Sequence, residues 1–118
     1  MKTSNSSWTD GYGLGSLGSS TQVGLYVTSY SRFRAQAPLA LNEWVHVAGT
    51  FDGSRVSCYL NGKFVGDFAH DAPIQYADCP LLIGNAGSGG YPWTGDIDDV
   101  YIFGRALTPV EISDLASR

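Results

Sequence analysis

Three carboxylates stand close together in the last quarter of the sequence, at Asp96, Asp98 and Asp99. Successive side chains of a β-strand point to opposite faces, so Asp96 and Asp98 share one face and Asp99 lies on the other. At most two of these carboxylates can therefore reach one ligand without a bend in the backbone.

One functional interpretation of this cluster is a divalent-cation site. Ca²⁺ takes about six to eight oxygen ligands, and Asp98 and Asp99 can supply carboxylate oxygens beside backbone carbonyls. The sequence therefore suggests calcium as a possible cofactor at these two residues. The structural alternative is that the aspartates cap loop backbone, pair with Arg105 or face water.

A sugar-binding surface needs exposed aromatic rings and groups that form hydrogen bonds with hydroxyls. Tyr91 and Trp93 follow a glycine-rich loop that begins at Asn85, and Tyr76 lies in an irregular segment. Aromatic rings offer a large apolar area at low entropic cost, and an amide adds hydrogen bonds. We therefore name as candidate ligand-binding residues Tyr91, Trp93, Tyr76 and Asn85.

The sequence gives no indication of a nucleophilic catalyst. His46 and His70 do not belong to a Ser-His-Asp or Cys-His motif, and a strand histidine is usually a packed residue. Cys58 falls on the core-facing side of its strand, where a free thiol behaves as a small hydrophobe. A bridge between Cys58 and Cys79 is the alternative.

One motif match is misleading. Gly13, Gly15 and Gly18 reproduce the spacing of the dinucleotide-binding fingerprint. That motif functions only between a buried strand and a helix whose N-terminus faces the pyrophosphate, and neither pattern flanks it here. We interpret these glycines as turn and loop residues.

Composition indicates one all-β domain spanning residues 1–118. The 118 residues include 15 glycines, 7 tyrosines and 3 tryptophans, with only 15% charged residues, a composition typical of turn-rich sheets. The net charge is −4 and the cations are scattered, which argues against nucleic acid as a partner. No apolar run is long enough to span a bilayer.

A hairpin over residues 44–61 organises the chain. Apolar and polar positions alternate on both of its arms, and Asp52-Gly53 between them tolerates the positive φ values of a hairpin turn. Asn61-Gly62 marks a second turn before a third strand from Lys63 to Phe68. Three consecutive antiparallel strands are therefore expected.

Further elements are predicted on either side of these strands. Residues 109 to about 116 should form a helix, since Thr108 can cap it and Glu111 completes a capping box. Strands are predicted over residues 21–28, 31–35, 81–83 and 95–103. A break is predicted at Ala37-Pro38-Leu39.

The chain resembles the laminin G-like, concanavalin A-like lectin superfamily in four ordered segments: WVHVAGTFDG, CYLNGK, LLIGN and WTGDIDDVYIFGRALTPVEI. The resemblance covers residues 44–115 well and residues 12–35 more loosely. It implies a jelly-roll sandwich of two antiparallel sheets, used mostly as a non-catalytic carbohydrate-binding or adhesion module.

The resemblance has implications for individual residues. The family pattern places the residue at Trp93 inside the domain, and it places an acidic calcium ligand within I-D-D-V. Retaining glucanases that share this broad fold carry a third carboxylate five residues after the first, and two carboxyl groups roughly 5 Å apart are needed for that chemistry. Here Asp96 and Asp98 match, but Tyr101 occupies the third position and cannot act as the acid.

The resemblance also predicts association. Family members usually carry additional N-terminal strands beside the C-terminal one, and there is little room for them before Tyr12. Without them the strand from Ile97 to Phe103 exposes an unpaired edge. A homo-oligomer formed through this open sheet edge is therefore expected.

The sequence thus predicts an antiparallel β-sandwich with a short C-terminal helix and a core that includes Val47, Leu60, Ile83 and Val100. We expect no enzymatic activity and a carbohydrate or glycoprotein surface as the partner. One alternative is an oligomerising structural module without a sugar site. A weaker alternative is a remnant glycoside hydrolase.

Overall fold

The computed structural model describes residues 1–4, 7–16, 22–28, 34–76, 78–86 and 90–118. Within these residues the elements are β1 (Tyr12–Ser16), β2 (Gln22–Val27), β3 (Arg34–Pro38), β4 (Val47–Phe51), β5 (Arg55–Leu60), β6 (Lys63–Ala69) and α1 (Pro109–Ala116). Strands β1, β2 and β3 form one antiparallel sheet in that order, and β4, β5 and β6 form a second. The all-β class and the single short C-terminal helix are as predicted.

The second sheet is the predicted three-stranded meander. Gly53 has φ +97° in the first turn, and the Asp52 carboxylate accepts the Ser54 N–H at 2.9 Å. Asn61 and Gly62 both have positive φ in the second turn, as type I′ hairpin turns require. Local turn chemistry therefore fixes the pairing of all three strands.

The two sheets meet through side chains of their central strands. Leu25 and Val27 of β2 form one buried cluster with Val56 and Cys58 of β5. The partly buried side chains around this cluster are Tyr12, Phe51, Val65, Phe68 and Ile74. Burial of these apolar groups is the main favourable term in folding. Cys58 and Cys79 are both free thiols, so the alternative of a bridge between them is not realised.

The other face of the first sheet is covered by a smaller aromatic cluster. Trp8 stacks on Tyr26 with ring centroids 6.2 Å apart, and Met1 and Ala86 pack beside them. Gly13 is required beneath this cluster, because a Cβ there would lie 2.4 Å from a ring carbon of Tyr26. Both faces of the first sheet are therefore partly covered.

The N-terminal residues extend the first sheet. Lys2 and Tyr12 exchange two backbone hydrogen bonds of 2.9 and 3.0 Å. On the other side of Lys2, the Met1 amine donates to the Leu82 carbonyl at 2.6 Å and the Leu82 N–H donates to the Met1 carbonyl at 2.9 Å. This pairing takes the place of the strand predicted at residues 81–83. Ile83 is 61% exposed rather than part of the core.

Helix α1 begins and ends as predicted. The Thr108 side chain accepts the Glu111 N–H, and the Glu111 carboxylate accepts the Thr108 N–H, so both partners of the capping box are present. A Cβ on Gly62 would lie 3.1 Å from Ser113, which shows that α1 packs against the β5–β6 turn. No helix in the described part of the chain is long and apolar enough to cross a membrane.

The predicted strand at residues 95–103 is wrong. Residues 94–104, which we call the exposed arm, contain no strand, and every residue from 90 to 105 is exposed. Asp99 has φ +50°, a left-handed conformation that interrupts an extended chain. Val100 is 49% exposed and does not join the core, whereas Val47 and Leu60 are partly buried as members of β4 and β5.

Smaller differences concern the first sheet. Gly13 and Gly15 lie in β1, not in a loop, and Gly18 is outside the described residues. Strand β3 continues through Pro38, which an edge strand tolerates, so the break predicted at Ala37 begins two residues too early. Of the strand predicted at residues 31–35, residues 31–33 are outside the described part.

The close approach of the two sheets gives a stability prediction. A Cβ added to Gly49 in β4 would lie 2.7 Å from Cδ2 and 2.9 Å from Cβ of Leu25 in β2. We expect Gly49→Ala to lower the free energy of unfolding by about 1–3 kcal/mol, because the sheets must separate to accommodate the methyl group. Urea unfolding measures the change. The control is Gly104→Ala, since a Cβ there meets nothing within 4 Å; equal stability of both variants contradicts the packing.

Candidate functional site

Two exposed aromatic residues stand beside one amide, next to the aromatic cluster on one face of the first sheet. Tyr91 is 59% exposed and Trp93 is 44% exposed. The Asn85 side-chain oxygen accepts the N–H of Tyr91 at 3.3 Å, and the Trp93 N–H donates to the Gly84 carbonyl at 2.7 Å. These bonds hold the backbone of both aromatic residues beside Asn85. We call Asn85, Tyr91 and Trp93 the aromatic platform.

The platform rests on the buried aromatic cluster. The rings of Tyr91 and Trp8 meet edge to face, with centroids 5.2 Å apart and an interplanar angle of 73°. Trp8 is only 9% exposed and stacks on Tyr26 of β2. Because the exposed ring contacts a buried one, Tyr91 has a rigid base while most of its surface faces solvent.

Tyr76 lies apart from the platform. It is 67% exposed and contacts Tyr12 with centroids 6.4 Å apart. Tyr12 and Gly13 are consecutive in β1, and Gly13 faces Tyr26 on the platform side. Side chains of consecutive strand residues point to opposite faces, so the contacts of Tyr76 and Tyr91 lie on opposite faces of the first sheet.

The exposure of Trp93 corrects the expectation that it packs inside. A Cβ on Gly95 would lie 3.2 Å from the Trp93 ring nitrogen, so the indole folds back over the start of the exposed arm. The arm does not enter the core, and its neighbour Trp93 consequently stays at the surface. Of the four candidate residues, the structure brings together Asn85, Tyr91 and Trp93. Residues 87–89 of the intervening loop lie outside the described part.

The carboxylate cluster belongs to the exposed arm. Asp96, Asp98 and Asp99 are all exposed, and the Asp98 carboxylate accepts the Asp99 N–H at 2.8 Å. Among the described residues no group of three or more His, Cys, Asp or Glu side chains converges to hold a metal ion. Two adjacent carboxylates fall well short of the roughly six oxygen ligands that Ca²⁺ needs.

Arg105 pairs with Glu111 rather than with these aspartates. Two guanidinium nitrogens donate to the two Glu111 carboxylate oxygens, at 2.8 and 2.6 Å. Hydrogen bonds donated by the Arg105 side chain and by the backbone N–H of Thr108 lower the pKa of Glu111 to about 2. The stabilisation from this carboxylate is thus present above its unfolded pKa and is lost as the pH falls towards the folded pKa. The Glu111 side chain is 39% exposed, so screening by solvent keeps that contribution small.

Within the described ranges, neither histidine ring forms a hydrogen bond with a hydroxyl, thiol or carboxylate side chain. His70 is 4% exposed and both ring nitrogens lack a hydrogen-bond partner among the described residues, while its ring meets Phe51 edge to face at 5.6 Å. The backbone N–H of His46 donates to the Asn61 side-chain oxygen at 3.0 Å. The His70 ring is thus held by packing, and the bond of His46 involves its backbone and not its ring.

Two further apolar features are exposed. Trp44 is 70% exposed just before β4. The arm exposes Tyr101, Ile102 and Phe103. The sequence does show this feature as a run of consecutive apolar residues. Such a run places apolar side chains on both faces of an extended segment, and both faces must then be buried.

The comparisons with known proteins agree with this architecture. A laminin G family model, described as concanavalin A-like lectin/glucanases superfamily, matches residues 2–113. The chain therefore belongs to this superfamily, which confirms the resemblance seen in its motifs. No curated protein matches the chain.

One solved structure is similar over most of the chain. It is the 2.1 Å crystal structure of residues 221–444 of an S-layer domain-containing protein from Clostridium thermocellum ATCC 27405. The similarity has a TM-score of 0.55 and 26% sequence identity, and it covers 80% of this chain and 50% of that one. The chain thus spans about half the length of this relative. Family and relative together indicate a binding or structural module.

Proposed function

We propose that the chain is a non-catalytic carbohydrate-binding or adhesion module that binds its ligand on the aromatic platform. The observation that carries this proposal is the pairing of two exposed aromatic residues, Tyr91 and Trp93, with the amide of Asn85 on a buried aromatic base. Membership of a superfamily of lectins and glucanases supports a sugar as the ligand.

The platform has the chemistry that a pyranose ring requires. The C–H-rich face of a sugar packs on an aromatic ring, which loses little conformational entropy because it rotates about only two bonds. The side-chain oxygen of Asn85 is occupied by the N–H groups of Ala86 and Tyr91. Its amide nitrogen forms no hydrogen bond within the described residues, so it can donate to a sugar hydroxyl.

Binding without hydrolysis is the activity that these residues favour. Retaining hydrolysis needs a nucleophile and an acid on either side of the scissile bond. The arm offers Asp96 and Asp98, but Tyr101 stands where the acid is required. All three are exposed to solvent, whereas catalytic acids are usually desolvated to raise their pKa.

Calcium at Asp98 and Asp99 stays a prediction. The described residues do not complete a coordination sphere around these carboxylates. A metal site there needs oxygen ligands from outside the described residues, from water or from another molecule.

The test is a pair of tyrosine substitutions on opposite faces of the first sheet. We expect Tyr91→Ala to weaken carbohydrate binding about tenfold, which corresponds to roughly 1.4 kcal/mol of lost ring contact. Glycan-array screening followed by titration of the best glycan measures the effect. Tyr76→Ala is the matched control, since it removes a similarly exposed ring whose contact with Tyr12 lies on the other face of the first sheet. Equal losses in both variants, or no glycan bound by the unmodified chain, contradict the proposal.

We also propose that copies of the chain associate through the exposed arm. The observation that favours this second role is the row of half-exposed apolar side chains in residues 97–103. The similarity to an S-layer domain-containing protein is consistent with assembly. Under this proposal the domain forms an assembly with its own copies and also binds glycans.

The solution mass tests association and metal dependence together. We expect sedimentation equilibrium at tens of micromolar protein to give a mass above the 12.6 kDa of one chain. EDTA should leave the mass unchanged if calcium is not part of the interface. A mass of 12.6 kDa over the whole concentration range contradicts the proposed association, and dissociation in EDTA would instead assign calcium to it.

A further inference from the structure

The apolar side chains of the exposed arm are numerous enough to form an interface. These side chains are between 46% and 60% exposed and belong to Ile97, Val100, Tyr101, Ile102 and Phe103. Four of them lie in residues 99–105, and about half of roughly 200 Å² for each gives on the order of 400 Å² per copy, or about 800 Å² for a pair. That area is typical of a weak interface, to which backbone hydrogen bonds between the strands would add.

The backbone N–H and C=O groups of the arm are also available for pairing. Within the described residues, no N–H or C=O group of residues 96–103 forms a hydrogen bond with another backbone group. The Asp99 N–H is bonded to the Asp98 side chain, and the segment from Val100 to Gly104 follows that turn. Open backbone groups beside apolar side chains are what strand addition requires.

We propose that two copies pair antiparallel through residues 99–105, with Ile102 of one copy opposite Ile102 of the other. This inference rests on the association through the arm proposed above, and it specifies the register of that association. A second copy of the same chain is thus the occupant of the arm.

Symmetry limits the possible registers. Two identical antiparallel strands in one sheet are related by a two-fold axis perpendicular to the sheet, because only that axis keeps each side chain on its own face. One residue must then lie opposite its own copy. The register is therefore defined by naming that central residue.

The charges of the side chains decide which residue can be the central residue of the pair. Centring the pair on residue 96, 97, 98 or 99 places carboxylates of the two copies opposite each other, and like charges directly opposite are destabilising. Among the remaining centres, only Ile102 places a carboxylate, that of Asp99, across the strands from Arg105. In the single chain this guanidinium binds Glu111 and Asp99 has φ +50°. Pairing therefore extends the backbone at Asp99 and brings its carboxylate to a guanidinium that it shares with Glu111. By symmetry this favourable pair forms twice.

The same register matches the apolar side chains. On one face, Tyr101 lies opposite Phe103 of the second copy, and this contact also forms twice. These two rings already share a face within one chain, with centroids 6.2 Å apart and an interplanar angle of 24°. On the other face, Ile102 meets its own copy. Aromatic cross-strand pairs are among the more stabilising contacts of a sheet.

Cysteine cross-linking tests the register. Residues directly opposite in an antiparallel pair have Cα atoms about 4.5–5.5 Å apart, within reach of a disulfide. In a chain carrying Cys79→Ser, with the native Cys58 buried, we expect Ile102→Cys to form a covalent dimer under mild oxidation. Tyr101→Cys and Phe103→Cys should each link poorly alone and should link to each other when mixed.

Ser54→Cys, on the exposed β4–β5 turn, measures linking by random collision. The effective concentration within a dimer is about millimolar, so Ile102→Cys should link at least roughly tenfold faster than Ser54→Cys at micromolar protein. Equal rates in a chain that sediments as a dimer overturn this register and leave the proposed association standing. Preferential linking of Val100→Cys also overturns it. A chain that sediments as a monomer overturns both.

Discussion

The contact between Leu25 and Gly49 is the constraint on which the rest of the fold depends. Only a residue without a side chain lets β4 approach β2 closely enough for Leu25 to reach the second sheet. That approach closes the buried cluster of Leu25, Val27, Val56 and Cys58. Because strands β2 and β5 complete this cluster by themselves, the core does not need the arm.

The position of the arm follows from this arrangement. Both ends of the arm are attached, through the bond from Trp93 to Gly84 on one side and through α1 packed against the β5–β6 turn on the other. Between these attachments the segment carries apolar side chains on both faces and unpaired backbone groups. A lone strand gains too little from burial to offset its ordering entropy, so it becomes regular only beside another strand. The same constraint exposes Trp93 and thereby contributes a ring to the platform.

Elements fixed by local chemistry could be predicted from the sequence, and those fixed by distant partners could not. Asp52-Gly53 and Thr108-Pro109 define their turn and their helix cap within a few residues, and both were predicted correctly. The strand at residues 95–103 was inferred from alternation and resemblance, but its formation depends on a neighbour that the described residues do not provide. The glycines of β1 were interpreted as loop residues because Gly13 is required by the ring of Tyr26, a contact that turn propensities cannot reveal.

The candidate site shows the same division. Tyr91 was identified because aromatic residues after a glycine-rich loop tend to lie at the surface, and the structure agrees. The family pattern placed Trp93 inside, yet that pattern assumes a strand paired in the core. The pairing of Arg105 with Glu111 was missed, since the capping box predicted only the contact from Glu111 to Thr108. The two oxygens of the Glu111 carboxylate can accept the capping bond from the Thr108 N–H and the bonds from the Arg105 guanidinium at the same time.

Amide hydrogen exchange, followed at low and at high protein concentration, tests most directly whether the arm lies outside the core. The account predicts that amides of β2 and β5 are strongly protected at both concentrations. Amides of residues 100–104 should exchange almost freely in dilute solution and become protected as the concentration rises. Protection of residues 96–103 equal to that of β5 in dilute, monomeric protein would contradict it, because the arm would then be a paired strand within a single chain.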